Sequence, residues 1–393
     1  MNILSIASIL PIPGIINAND FVFQTYTTYR QLFPKDRIVI IKPVKINLNP
    51  IQILRRNTDL SKLNKDFTRH FHNFRIEIIP FFSSWRFRNI HAILTYSIYY
   101  LNKKRIDTII RNNNIDIIHA QYIIPDGLLA SFISKKYYIP FLLTTHNERF
   151  YFEHTISKII ALNILNQSSL ILPINYSNAL YYISLGIKNI KPVPLGFKEI
   201  FLRDPKNKSD NRVSILTVAE LIQLKNIDKV IYSIKQLIPK YSLLYTIIGK
   251  GPEKKNLLDL TVRLELSDYV HFIDYIPHEQ IANEMYKHDI FIMPSYFETF
   301  GRVYFEAMAM GIPIICAKNS GIFGFFKNME EGIAVNHESI DEITESLEYL
   351  ISNPDKRMQM GLKGKKLVEQ FTWENIARNI HKQYLKIANS EKC

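Results

Sequence analysis

Between Pro294 and Gly311 the chain reads Pro-Ser-Tyr-Phe-Glu-Thr-Phe-Gly-Arg-Val-Tyr-Phe-Glu-Ala-Met-Ala-Met-Gly, and these residue types suit the binding of a phosphorylated ligand. The apolar run Ile290–Met293 predicts a strand, and the periodicity of 301–310 predicts a helix. Glu298 then falls in the loop just past the strand's carboxyl end, and Glu306 more than one turn into the helix. Gly301 and Arg302 open that helix, so their backbone N–H groups offer an anion site at the positive end of its dipole. With a phosphate near Gly301, Glu306 lies roughly 7–8 Å further along at 1.5 Å rise per residue, about the reach from a diphosphate to the hydroxyl pair of a ribose. Two glutamates at this spacing occur on many helices, so the spacing gains weight only from its surroundings.

Those surroundings alternate short β-branched runs with longer helical segments, which predicts parallel βαβ units. In the first half the expected strands are Asn2–Ile9, Arg37–Ile41, Phe74–Ile79, Ile115–Ala120 and Phe141–Thr145. Helices are expected over Asp20–Leu32, Ile90–Asn112 and Gly127–Lys136, the last capped by Asp126. Ser169–Pro173, Asn175–Leu185 and Pro192–Pro194 read as strand, helix, strand, and the polar stretch 204–211 as a linker. The pattern then restarts with strands Val213–Val218, Leu243–Ile248, His271–Ile273, Ile290–Met293, Ile314–Cys316 and Ile333–Val335. Between them lie helices Ile227–Leu237, Glu253–Leu264, Glu279–Lys287 and Gly301–Met310, the last stopped by Gly311 and Pro313. A helical tail closes the chain. The expected fold is α/β: two tandem Rossmann-like doubly wound domains, 1–200 and 201–372, with a helix over 373–393 packing back on the first. Ligands of such sheets bind outside the carboxyl ends of the strands, so facing domains would hold them in the cleft between.

At 393 residues the chain has room for two cores, and a 47% hydrophobic share excludes a disordered or collagen-like chain. Cys316 and Cys393 lie in unlike contexts and imply no disulfide framework, which fits a reducing cytoplasm. The stretch Met1–Ile9 has no basic region ahead of it and ends at Pro11, Pro13 and Gly14, so it reads as a buried strand rather than a signal peptide. The apolar tracts 90–101 and 156–174 are interrupted by polar residues and fall short of a membrane span. The net charge of +13 is unevenly placed. Residues 1–200 carry 24 Lys+Arg against 11 Asp+Glu, whereas 201–393 carry 25 against 25. The whole excess belongs to the first half and points to an anionic partner there.

The segment around Glu298 and Glu306 resembles the E-x7-E signature of the retaining GT-B glycosyltransferases of family 4. The resemblance extends to Asp289–Ser295, Phe297–Gly301, Glu306–Pro313, Ile248–Pro252, Val218–Asn226 and Phe371–Trp373, and in the first half to Ile115–Gly127 and Pro140–His146. It implies transfer of a sugar from a nucleotide-diphosphate sugar with the anomeric configuration retained, that donor being a co-substrate with no other cofactor and no metal. By this likeness Glu298 would contact the donor sugar, with His146 facing it, and Lys225 would neutralise the leaving diphosphate. Glu306 would hold the ribose hydroxyls. Gly249, Gly251 and Pro252 would pass close to the base, and Thr299, Phe300, Gly301 and Arg302 would complete the donor side. Gly14, His119 and Asn147 would line the acceptor side.

The chain also departs from the family pattern. Ala219-Glu220 stands where Gly-Arg is usual, and a carboxylate cannot replace an arginine fork against a diphosphate. Lys225, Arg302 or Lys250 would have to compensate. Asn147 and Arg149 replace the usual Gly and Asp, Leu195-Gly-Phe-Lys198 replaces Asn-Gly-Val-Asp, and the loop 319–326 lacks a double glycine. In the basic half, Phe81–Arg88 mixes cations with aromatics, and Lys103–Arg105 and Lys135–Lys136 add charge. These imply docking on an anionic membrane surface, next to a glycolipid or oligosaccharide acceptor. Nucleic acid is not implied, since no aromatic-basic RNA motif occurs. The expected protein is a cytoplasmic enzyme, peripheral on the inner face of the membrane, that builds a surface polysaccharide such as lipopolysaccharide or capsule. Two other readings stay open: a nucleotide-sugar epimerase on the same architecture, and a catalytically impaired sugar-binding homologue.

Overall fold

Parallel strands buried on both faces need continuous apolar, β-branched runs, and the first half of the chain supplies six of them. In the computed structural model, which describes residues 1–10, 21–47, 74–83, 93–205 and 212–390, these are β1 (Asn2–Ile6), β2 (Arg37–Asn47), β3 (Arg75–Ser83), β4 (Ile117–Ala120), β5 (Phe141–Thr145) and β6 (Leu170–Pro173). They form one parallel sheet in the order β3-β2-β1-β4-β5-β6. Leu4, Ile6, Ile118 and Leu143 lie in a core with Ile106 and Ile109 of the helix Ser97–Asn113 and Ile133 of the helix Leu128–Tyr137. The helix Trp373–Ser390 belongs to this unit: Tyr29 of the helix Phe21–Leu32 shares a 2.7 Å hydrogen bond with His381, whose ring stacks on Phe33 at 3.7 Å.

The second half repeats the order. Strands β7 (Val213–Val218), β8 (Leu243–Ile248), β9 (Val270–Ile273), β10 (Ile290–Met293), β11 (Ile314–Ala317) and β12 (Ile333–Val335) align as β12-β11-β10-β7-β8-β9, all parallel. In each sheet the winding reverses beside the first strand, between β1 and β4 and between β7 and β10. That reversal is where a doubly wound sheet opens a crevice at its carboxyl ends. By internal packing one unit comprises Met1–Ile174, Asn178–Pro194 and Trp373–Cys393, and the other Asn175–Ser177 and Leu195–Thr372. Apart from Asn175–Ser177, the chain enters the second unit at Leu195, ahead of the polar stretch at 204–211, of which 206–211 lie outside the described residues.

Two local expectations are corrected. Pro192–Pro194 is not a strand, because two prolines in three residues remove ladder donors; only Val193 bonds back, to the Pro173 carbonyl at 2.9 Å. Asp126 does not cap a helix. It is buried, and both its carboxylate oxygens accept from the Ser8 N–H, at 3.0 Å each.

Candidate functional site

Two loops leave the second sheet at its reversal: 219–226 from β7 and 294–301 from β10. They are stitched together by Tyr296 N–H donating to the Leu224 carbonyl and Asn226 Nδ2 to the Pro294 carbonyl, both at 2.8 Å. Asn226 holds φ 51°, the left-handed turn that starts the helix Ile227–Leu237. This stitching sets Lys225 Nζ 2.5 Å from Glu298 Oε2, with the two side chains 15% and 18% exposed. From the other side, Asn319 donates to the Tyr296 carbonyl at 2.7 Å and Asn175 to the Thr299 carbonyl at 2.8 Å. Gly321 lies so close that a Cβ there would stand 2.5 Å from the Phe300 Cα.

Gly301 (φ 80°) turns the chain into the helix Arg302–Ala309, which places Glu306 almost wholly out of solvent. A buried carboxylate needs a partner. Glu306 finds His278, whose Nε2 is 2.8 Å from its Oε1. His278 opens the helix His278–Met285 just beyond the carboxyl end of β9, with its ring 5.2 Å from that of buried Phe201. Sequence reasoning passed over His278. The available signal was a titratable side chain a few residues past a strand's carboxyl end, on the rim where ligand-binding groups gather.

Gly249 and Gly251 have a reason closer at hand than a nucleotide. A Cβ on Gly249, which has φ 151°, would fall on the Ala219 carbonyl, and one on Gly251 would fall on the backbone of Leu221. The small residues let the loop after β8 pack against the loop after β7, fixed by Leu221 N–H to the Lys250 carbonyl at 3.0 Å. Pro252 follows them at the surface. Of the groups that could compensate for Glu220, itself exposed, Lys250 is exposed with its ammonium 4.9 Å above the Tyr275 ring, and Arg302 is half-buried.

In the first unit His146 follows β5. Its ring stacks on Tyr122 at 4.7 Å and lies 4.8 Å from Phe21. Burial pushes it down to about 3, so it is neutral at physiological pH, and its Nε2 has no hydrogen-bond partner among the described residues. Its backbone is clamped at both ends: the N–H donates to Glu148 Oε2 at 3.1 Å, and the carbonyl accepts from Asn178 Nδ2. Glu148 also accepts from Ile123 N–H at 2.6 Å, and burial pushes its carboxyl up to about 8. Asn147 beside it is half-buried. Burial likewise pushes Asp126 up to about 7 and Lys42 down to about 8, the latter donating to the Ser8 and Leu10 carbonyls.

His119 is committed to the scaffold. Its Nδ1 meets Tyr384 at 2.6 Å and its Nε2 meets Thr144 at 2.8 Å, which leaves neither ring nitrogen for a ligand. Gly14 and residues 84–88 lie outside the described residues. Of the remaining basic cluster, Lys103, Lys104 and Lys135 are exposed, while Arg105 bonds Glu77 at 2.7 Å and Lys136 bonds Asp107 at 2.6 Å.

Residues 198–367 match the profile of the glycosyl transferases group 1, and residues 75–183 that of the glycosyl transferase 4-like proteins. The chain belongs to the family 4-like glycosyltransferases. An uncharacterised glycosyltransferase of Methanocaldococcus jannaschii is 26% identical over 308 residues, covering 74% of this chain and 81% of that relative. Two further uncharacterised glycosyltransferases, from Haemophilus influenzae and M. jannaschii, are matched over 49% and 45% of their own lengths. Among solved structures, Anabaena HepE in complex with UDP superposes with a TM-score of 0.70 at 17% identity, covering 98% of this glycosyltransferase and 100% of HepE. The lipopolysaccharide outer core galactosyltransferase WaaB gives 0.70 at 15% identity over 100% of both chains. These likenesses show the GT-B-like fold of two doubly wound α/β units. No helix among the described residues is long and apolar enough to cross a membrane.

Proposed function

We propose that this glycosyltransferase moves a sugar from a nucleotide-diphosphate donor to a glycolipid or surface-polysaccharide acceptor, with retention and without a metal or further cofactor. The observation that carries this reading is the Lys225–Glu298 pair on the rim of the second sheet, with buried Glu306 on the adjoining helix. Cleavage of the donor leaves negative charge on the diphosphate, and the Lys225 ammonium is held ready to neutralise it without reorganisation. The N–H groups at Gly301 and Arg302 add the positive end of a helix. Glu298 takes hydroxyls of the donor sugar and Glu306 takes the ribose.

HepE was solved with UDP, so uridine donors head the panel to be tried. WaaB is a lipopolysaccharide galactosyltransferase, which together with the basic first half favours an acceptor embedded in or attached to an anionic membrane on its cytoplasmic side, with the enzyme peripheral to it. Exposed Glu220 in the arginine position favours a second reading, a sugar-nucleotide binder with impaired transfer.

Incubation with UDP- and GDP-sugars, with and without lipid acceptors, separates these. Acceptor-dependent nucleotide release with an α product from an α donor supports the first reading. Binding without release supports the second, and conversion of the sugar nucleotide itself would reveal an epimerase. Equal co-sedimentation with neutral and anionic vesicles would refute the membrane partner.

A further inference from the structure

We infer that His278 is a positioning residue for the donor's ribose: it fixes the carboxylate of Glu306 so that one oxygen is held by the protein and the other is presented to the ribose hydroxyls. This rests on the assignment of Glu306 to the ribose. The bond itself is the observation, with His278 Nε2 2.8 Å from Glu306 Oε1. The two side chains differ in exposure, 36% for His278 and 5% for Glu306, so the histidine closes the carboxylate off from solvent on one side. A glutamate on a helix has three rotatable bonds, and an unpaired one at this depth would turn toward whatever donor it found. Here the choice is made in advance.

The histidine is held in its turn. Pro277, the residue before the helix, has its own φ fixed by the ring, and buried Phe201 lies beside the imidazole at 5.2 Å. The interaction links the start of the helix His278–Met285, which follows β9, to the helix that follows β10. The nucleotide can therefore bind without first ordering Glu306, which is the part of its affinity that His278 supplies. Nε2 donates the proton in either the Nε2–H tautomer or the imidazolium, so the bond does not require a charged ring.

The test compares the nucleoside diphosphate that the donor panel selects with its 2′,3′-dideoxy analogue, by calorimetry on the full chain. The unsubstituted protein should bind the ribonucleotide at least tenfold more tightly. His278→Ala should weaken the ribonucleotide about tenfold, equivalent to about 1.4 kcal/mol, and leave the dideoxy analogue within twofold. His278→Gln, whose amide can place a donor near the same point, should recover most of the loss. Equal weakening of both nucleotides in His278→Ala, with Gln no better than Ala, means a merely structural role and overturns the inference. So does unchanged affinity for both. If Glu306→Ala fails to erase the preference for the ribonucleotide, the assignment of Glu306 has failed, and the inference with it. If Glu306→Ala erases it and His278→Ala does not reduce it, only the inference has failed.

Discussion

Replacing Lys225 by methionine removes the ammonium while keeping much of the side chain's apolar volume. Its Nζ is 2.5 Å from Glu298 Oε2, and Glu298 is only 18% exposed. The substitution therefore leaves a mostly buried carboxylate unpaired, at a cost of about 1–3 kcal/mol. In a unit of this size each kcal/mol lowers the melting temperature by about 2–4 °C. The catalytic loss should be larger. One unit of charge developing on the diphosphate about 4 Å from the ammonium is worth about 4 kcal/mol at an effective dielectric constant of about 20. Glu298 already shares the ammonium and offsets part of this, so a net loss of about 3 kcal/mol is expected, roughly a hundredfold in kcat/KM. The assay is nucleotide release at subsaturating donor, with thermal unfolding recorded on the same preparation. The second substitution Glu298→Gln, added to Lys225→Met, should restore melting temperature without restoring activity. A kcat/KM within threefold of the unsubstituted enzyme, or recovery of activity along with stability in the double variant, would show that Lys225 serves the fold and not the leaving group.

Gly249→Ala should destabilise the second unit by about 2–4 kcal/mol and abolish nucleotide binding, because the new methyl meets backbone rather than a yielding side chain. Gly186→Ala is its control: at φ 80°, with nothing within 4 Å of the added Cβ, it should cost only about 1 kcal/mol, and urea unfolding distinguishes the two. The pH dependence of the first unit carries a signed prediction. His119 and His146, both near 3 in the fold, refuse protons that the unfolded chain accepts below about pH 6.5, so their terms lower stability as pH falls from there. Asp126 and Glu148, at about 7 and about 8, keep protons that the unfolded chain releases above about pH 4, so their terms lower stability as pH rises. These four offset one another between about pH 4.5 and 6.5, and His146→Phe, which keeps the stack on Tyr122, should tilt the balance. Relative to the parent, the variant should lose about 1.4 kcal/mol per pH unit as pH rises across that window; parallel profiles would refute the assignment.

The second sheet was legible almost residue by residue. Val213–Val218, Leu243–Ile248 and Ile290–Met293 are apolar or β-branched at every position but Ser214, so composition and length agree. The first sheet was harder where charge enters a strand. β2 continues to Asn47 through Lys42 and Pro43, whereas the apolar run alone ends at Ile41. Ile41 is the last residue paired with β1, and beyond it the strand has one neighbour, an edge that tolerates proline. Lys42, Asp126 and Glu148 are all buried, and nothing in one sequence distinguishes them from surface charges; each is stabilised by backbone groups far away in the chain. In the site, Glu298, Glu306 and Lys225 were picked out by family likeness. The bond between Lys225 and Glu298 spans 73 positions and the one between His278 and Glu306 spans 28, and such separations leave no periodic trace.

Equal strand order does not make the two rims alike. At the carboxyl ends of the first sheet the buried Asp, Glu and Lys side chains among the described residues are spent within the protein. Asp126 holds the Ser8 N–H, Lys42 holds the Ser8 and Leu10 carbonyls, and Glu148 holds the Ile123 and His146 N–H groups. Lys42, the one basic side chain buried at that rim among the described residues, lies near enough to Asp126 for each to stabilise the other's charge. Among the described residues, exposed positive charge lies on helix surfaces, on Lys103, Lys104 and Lys135, with the exposed apolar residues Tyr100, Leu101 and Tyr138 near them in sequence. Charge at such positions acts on extended anionic surfaces through its sum, and salt should weaken it over a Debye length of about 8–10 Å. The second half is neutral in total, and its rim carries individually placed groups, Lys225 and Glu298 still partly open to solvent. A ligand that must be bound with fixed geometry suits the second arrangement, and a surface that need only be approached suits the first.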